Sequence, residues 1–152
     1  LTRQGQVEHY LYFVLAGIQR AVFVKNGKEH VVAFSYPGEM TGVPDSFISG
    51  RPSPCYLEAI THSKLLRIHR DVFETCVQES AELANFFLKG YEQLIVGLIH
   101  RHYELLAYSM QERFDRFYER SKHLINSIPR KDIASYLNMD PTNLSKLMAR
   151  QR

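Results

Sequence analysis

Residues 130–150 read Arg130-Lys131-Asp132-Ile133-Ala134-Ser135-Tyr136-Leu137-Asn138-Met139-Asp140-Pro141-Thr142-Asn143-Leu144-Ser145-Lys146-Leu147-Met148-Ala149-Arg150, and the spacing of small, apolar and capping residues here decides the architecture. Pro129 opens one helix over 130–137, and Asp140-Pro141 opens a second over 142–150, since Asp caps a helix start well and Pro suits its first turn. Ile133-Ala134-x-x-Leu137-Asn138-Met139, followed by Leu144-Ser145, has the spacing of a helix-turn-helix. Ala134 is small where two helices cross, and Asn138 stands where the turn wants a left-handed residue, a role Asn fills next best after Gly. Met139, Leu144 and Leu147 point into a small core, which turns Thr142, Asn143, Lys146 and Arg150 outward. Such a helix fits the major groove of DNA, where Asn bonds adenine and Lys or Arg bonds guanine. An ordinary αα-hairpin with a solvated polar face is the alternative the pattern leaves open.

Charge favours the first reading. Residues 113–152 hold nine Lys/Arg against four Asp/Glu, while residues 1–112 hold ten against twelve, so the net +3 is concentrated in the last quarter. A basic tail on a near-neutral body is the electrostatic footprint of a nucleic-acid reader. On this reading Arg130, Lys131 and Ser145 touch phosphates, while Thr142, Asn143 and Lys146 read bases, with Arg150 on the same face. Just upstream, Ser109-Met110-Gln111-Glu112 is a capping box, so a new helix starts there with Phe114, Phe117 and Tyr118 on its apolar side.

Residues 71–108 contain no proline and read as a long helix. Ala84, Phe87, Tyr91, Leu94, Leu98, Leu105 and Tyr108 fall on the a and d positions of a heptad, interrupted by Arg101, and Leu88, Ile95, Ile99 and Leu106 widen the apolar face. One small β domain is too little to cover so long a two-sided helix. The other side is therefore expected to meet a second copy of the chain, with Tyr91, Leu94, Leu98 and Leu105 as dimerisation residues. The alternative is a single helix buried within one subunit.

Residues 1–70 read as β structure. Tyr10–Leu15 and Ile18–Val24 are short aromatic and β-branched runs, and Lys25-Asn26-Gly27-Lys28 turns the second into a third over Glu29–Phe34. Asn-Gly between two such runs is a strong hairpin signal, because a type I′ turn needs positive φ at both positions. Tyr36-Pro37-Gly38-Glu39 breaks the pattern, 41–54 is a Gly/Pro/Ser-rich stretch, and 55–60 and 64–69 make a further strand pair. Short, closely spaced strands favour a sandwich or jelly roll over a parallel sheet. The expected fold is α+β: a β-roll sensor over 1–70, a dimerisation helix over 71–108, and a helix-turn-helix domain over 109–152.

Composition excludes several classes. With 45% apolar residues over 152 positions the chain folds rather than staying disordered, and no apolar run approaches the ~18 residues of a membrane span. Tyr10–Gly17 lacks the charged flank and cleavage site of a secretory peptide. Cys55 and Cys76 are too few for a disulfide framework or a four-thiolate cluster, so reduced thiols and a cytoplasmic setting are expected. Leu1 in place of Met suggests that part of the natural N-terminus is missing. His100 and His102, two apart on a helix, point in different directions and do not pair on a metal. Asp45-Ser46 with Glu39 has no base spaced to support hydrolysis, so no catalytic constellation is found and the chain is not expected to be an enzyme.

The order of parts resembles the catabolite-activator (Crp/Fnr) family of bacterial transcription regulators. The resemblance covers nearly all 152 residues and rests on Leu11-Tyr12-Phe13-Val14-Leu15-Ala16-Gly17, on Pro37-Gly38-Glu39, and on Ile133–Leu137 leading to Leu144-Ser145-Lys146. It implies a cyclic-nucleotide-binding-like β-roll, a homodimer on the long helix, binding to double-stranded DNA at a palindromic operator, and RNA polymerase as a further partner. The helix that precedes the roll in the family is absent, and the hairpin wing that usually follows the recognition helix has no room before Arg152, so a short wingless form is expected. Lys146 stands in place of a family Arg, which keeps a guanine contact but loses the bidentate fork.

The same resemblance implies an effector site in which a Gly-Glu pair binds the ribose and an Arg followed by Ser or Thr neutralises the cyclic phosphate. Gly38 and Glu39 match the first half, whereas the Arg-Ser falls on Ser53-Pro54, with Arg51 two residues early. Proline also removes an amide that would bond the phosphate. Gly38, Glu39, Arg51 and Ser53 are thus the possible effector residues. Cyclic AMP is expected to bind weakly or not at all, and no cofactor is expected. Two other function classes stand beside the regulator: a small-molecule-binding roll whose helical tail mediates protein contacts, and a cyclic-nucleotide-gated enzyme or channel subunit, disfavoured by the lack of a catalytic domain or membrane span.

Overall fold

In the computed structural model, which describes residues 1–150, six strands come early: β1 (Tyr10–Ala16), β2 (Gln19–Lys25), β3 (Lys28–Ser35), β4 (Met40–Thr41), β5 (Cys55–Ala59) and β6 (Lys64–His69). They form two antiparallel sheets, ordered β4-β1-β6 and β3-β2-β5. The β2–β3 hairpin closes at Asn26 (φ 53°) and Gly27 (φ 72°), with Lys25 opposite Lys28, as a type I′ turn demands. Side chains alternate along each strand, so Tyr12 and Val14 of β1 are buried while Leu11 and Phe13 lie on the other face. Tyr12 from one sheet and Leu57 from the other pack together with Val43, which makes the pair of sheets a sandwich closed on its own core.

That core also holds polar groups. Glu8 is 2% exposed; one of its oxygens accepts from Thr2 Oγ1 and the other from the Tyr10 amide at 3.0 Å, while its own amide donates to Ser46 Oγ at 2.9 Å. Burial first, and the Glu8 carboxylate second, push the Tyr12 phenol up to about 12. Ser46 belongs to α1 (Pro44–Ser49), a six-residue helix inside the Gly/Pro/Ser-rich stretch. Its composition is that of a loop, yet Pro44 suits a first helical turn and the Gly50 amide closes the last turn on the Ser46 carbonyl at 2.9 Å.

The expected single helix over 71–108 is two helices, α2 (Arg70–Glu79) and α3 (Ala81–Ala107). Ser80 is extended, at φ −132° and ψ 110°; its amide ends α2 on the Cys76 carbonyl and its hydroxyl accepts from the Leu83 amide at 3.3 Å. One serine thus finishes one helix and caps the next. Phe47 of α1, Phe73 of α2 and Phe87 of α3 form an edge-to-face chain with centroids 5.5 and 4.6 Å apart. Gly90 lies where a Cβ would run into the Met40 methyl, so α3 approaches β4 closely. Compact units span Leu1–Leu94 and Ile95–Arg152.

The second unit contains the end of α3, then α4 (Met110–Ser121), a 3₁₀ turn (Lys122–Leu124), α5 (Arg130–Tyr136) and α6 (Pro141–Arg150). The capping box forms as read: Ser109 Oγ accepts from the Glu112 amide at 3.3 Å and Glu112 accepts from the Ser109 amide at 2.8 Å. Phe114, Phe117, Ile133, Ala134, Leu137 and Leu144 fill the core of this unit, each at most 1% exposed. Among the described residues no helix is long and apolar enough to cross a membrane.

Candidate nucleic-acid interface

Between α5 and α6 the chain turns at Asn138, left-handed at φ 51°. Asp140 starts α6 by accepting from the Thr142 amide at 2.7 Å, and these hydrogen bonds from Thr142 hold its carboxyl below the usual range. Leu144 and Leu147 are buried, which leaves Thr142, Ser145, Lys146 and Arg150 exposed on the helix. Asn143 is partly covered, with Nδ2 3.7 Å from the Met110 sulfur. The Ser145 hydroxyl donates back to the Pro141 carbonyl at 2.9 Å, so it must swing away before it can donate to a phosphate. Arg130 and Lys131 are exposed on the first turn of α5.

Other described basic residues of this unit make contacts within it. Arg113 is 8% exposed; Arg116 stacks 4.6 Å over the Tyr108 ring, Arg120 pairs with Glu104 at 3.3 Å, and Lys122 lies 5.5 Å over Tyr118. Arg130, Lys131, Lys146 and Arg150 are exposed on α5 and α6, and Arg116, Arg120 and Lys122 are exposed as well.

On α3, Leu94, Leu98 and Leu105 are exposed and Tyr91 is half-buried, its phenol raised by burial. Ile95, Ile99 and Leu106 are exposed too, so helical spacing makes one broad apolar band of these positions. Arg101 lies at the edge of that band, since helical spacing puts it between Leu94 and Tyr108, and it is half-buried next to the buried Glu104.

The expected effector residues each have their own local surroundings. The Glu39 carboxylate accepts from the Tyr36 amide at 3.2 Å, which closes its own turn around Gly38. Arg51 is exposed. Ser53 is 2% exposed, and its hydroxyl donates to the Cys55 carbonyl at 2.6 Å and accepts from the Cys55 amide at 3.1 Å. A hollow of about 190 Å³ lies on the outer face of the β4-β1-β6 sheet among Leu11, Phe13, Met40, Leu66, Phe86 and Phe87. The thiols of Cys55 and Cys76 are free and half-buried, and burial pushes the Cys55 thiol up.

Residues 1–80 match the family model described as the cyclic nucleotide-binding domain. The chain belongs to the cyclic nucleotide-binding domain family. Its fold is shared with FixK2 from Bradyrhizobium japonicum, at a TM-score of 0.82 and 18% identity over 98% of this chain and 81% of that one. It is also similar to the Thermus thermophilus catabolite activator protein (TM-score 0.59, 20% identity, 99% and 72% covered). A third likeness is to CLP of Xanthomonas campestris, a c-di-GMP responsive global regulator (TM-score 0.68, 17% identity, 99% and 81% covered). No curated protein matches in sequence.

Proposed function

We propose that the chain is a homodimeric, sequence-specific DNA-binding transcription regulator of the Crp/Fnr type, with α5 and α6 as its helix-turn-helix. One observation carries the reading. α6 is split lengthwise, with Leu144 and Leu147 in the core and Thr142, Lys146 and Arg150 in solvent, straight after a left-handed turn. The open apolar band on α3 supports pairing with a second copy, since a contiguous exposed patch of that kind marks an interaction surface. A two-fold pair would present two α6 rods roughly 34 Å apart, one turn of duplex DNA.

Selection of bound duplexes from a random pool tests this directly, and a palindromic consensus is the expected outcome. A steep fall of affinity with salt separates DNA binding from a tail that only contacts proteins. Lys146→Ala is expected to cost about 1–3 kcal/mol on the selected site and to relax choice at one base pair. Equal losses on the selected site and on random DNA would contradict base reading.

The roll is proposed to take cyclic AMP weakly or not at all. A buried phosphodiester needs a cation and amides around it. Here Arg51 is exposed, Ser53 is committed to Cys55, and Pro54 has no amide. Titration calorimetry showing uptake at micromolar affinity or better overturns that part of the reading and leaves the DNA-binding part intact.

A further inference from the structure

Three consecutive carbonyls at the corner between α5 and α6 are held by arginines from other helices. The Tyr136 carbonyl accepts from Nη2 of Arg101 on α3. The Leu137 carbonyl accepts from Nε of Arg113 on α4 at 2.9 Å, and the Asn138 carbonyl from Nη2 of the same residue at 3.3 Å. Nη1 of Arg113 donates to the Tyr108 carbonyl at 2.6 Å, where α3 gives way to α4.

Arg101 is itself locked. Its guanidinium carbon lies 4.1 Å over the Tyr136 ring, and Nη1 is 3.2 Å from Glu104. Glu104 is 3% exposed and its other oxygen takes Arg120 of α4 at 3.3 Å. Arg120 in turn reaches the Tyr136 hydroxyl at 3.5 Å. Carbonyls at a helix end lack helical partners and carry partial negative charge, so cations satisfy them well. A guanidinium is planar with donors at fixed angles, so each arginine joins two places in one geometry, which a flexible ammonium does not. α6 begins three residues beyond Asn138.

We propose that Arg101 and Arg113 are positioning residues that fix the angle of α6 to α3, and thereby set the half-site spacing read by a dimer. The spacing clause rests on the regulator reading above; the angle clause concerns a single chain. Nothing in either arginine's role requires contact with DNA.

Two measurements separate the clauses. In the full chain with Cys55→Ser and Cys76→Ser, spin labels at Tyr103→Cys and Ala149→Cys report the α3–α6 distance, with labelled chain diluted into unlabelled chain. A narrow distribution is expected, broadened by Arg101→Ala, and equally narrow distributions in both overturn the proposal. Arg101→Lys keeps charge and stem but not the fork; it is expected to stay broad, and it answers the question alone should the alanine variant not fold. On palindromes lengthened or shortened by one base pair, the parent is expected to lose about tenfold in affinity and Arg101→Ala only about threefold, because misregistered half-sites forfeit joint binding in a rigid pair. An unchanged spacing preference in the folded variant overturns the spacing clause. Failure of the parent to bind any duplex sinks the regulator reading and the spacing clause together, while the label distances still decide the angle clause.

Discussion

The two units bury polar groups for opposite ends. In the first, Glu8, Thr2, Ser46 and Tyr12 form a knot that closes within the roll through backbone and hydroxyl donors. In the second, buried Glu104 and Arg113 run from helix to helix. The difference follows from secondary structure. Strand ladders pair most backbone groups of the sandwich, so its side chains chiefly fill space. α5 has seven residues and α6 ten, and each helix end leaves up to four amides or carbonyls without a helical partner, a large fraction of helices so short. The second unit therefore spends arginines as internal connectors, and a tail that looks uniformly basic is part scaffold and part surface.

The sharpest test of this division is to hollow each core in turn. Phe114→Ala, at a side chain 0% exposed, is expected to cost about 3–5 kcal/mol, and Leu57→Ala, at 1% exposed, about 2–5 kcal/mol. Amide exchange should then rise in α4–α6 for the first variant and in the strands for the second. Uniform loss of protection across the whole chain in both variants would break the comparison, because it would make the two units one cooperative structure.

What could be read from sequence was local. Asn26-Gly27, Asn138 and the Ser109–Glu112 box each act through neighbours within four residues, and each has the conformation its chemistry demands. Ser80 was equally local but silent, because a lone serine in an apolar-periodic stretch is as compatible with a helix interior as with a cap. The roles of Arg101 and Arg113 could not be seen. Their partners are 35 and 24 residues away, and from spacing alone Arg101 reads as a flaw in a heptad. The Ser53 hydroxyl, by contrast, closes locally on Cys55, two residues on, a bond that residue types alone do not announce.

Alkali should find the first unit. Tyr12 is 6% exposed and its phenol stands at about 12 against an ordinary 10, with burial the main cause. A group whose folded value is raised contributes stability that is complete below the unfolded value, so the roll is expected to weaken from pH 10 and to have lost that contribution once pH passes 12. The shift corresponds to about 2–3 kcal/mol. Tyr12→Phe should flatten this slope in denaturant titrations, with Tyr56, also raised to about 12, and the raised Tyr91 phenol and Cys55 thiol supplying what remains. A slope unchanged by Tyr12→Phe would place the alkaline weakness outside the knot.

Acid should find the second unit, with the smallest effect of the three. Glu112 and Asp140 are held below their ordinary 4.5 and 3.8, chiefly by the Ser109 hydroxyl and amide in one case and the Thr142 amide in the other. For depressed carboxyls the sign reverses: the contribution is complete above the unfolded values and is lost as pH falls through the folded ones. Both groups are fully open to water, so added salt screens their attraction to the helix starts. The expected sequence is fraying of the first turns of α4 and α6 from about pH 4 downward, earlier at high salt, read from amide exchange in those turns. Ser109→Ala removes the hydroxyl that lowers Glu112, so the α4 turn of that variant should fray at neutral pH while α6 keeps its acid profile. Coincident profiles for both turns in the variant would mean that the two caps are not independent, and that acid acts on the second unit as a whole.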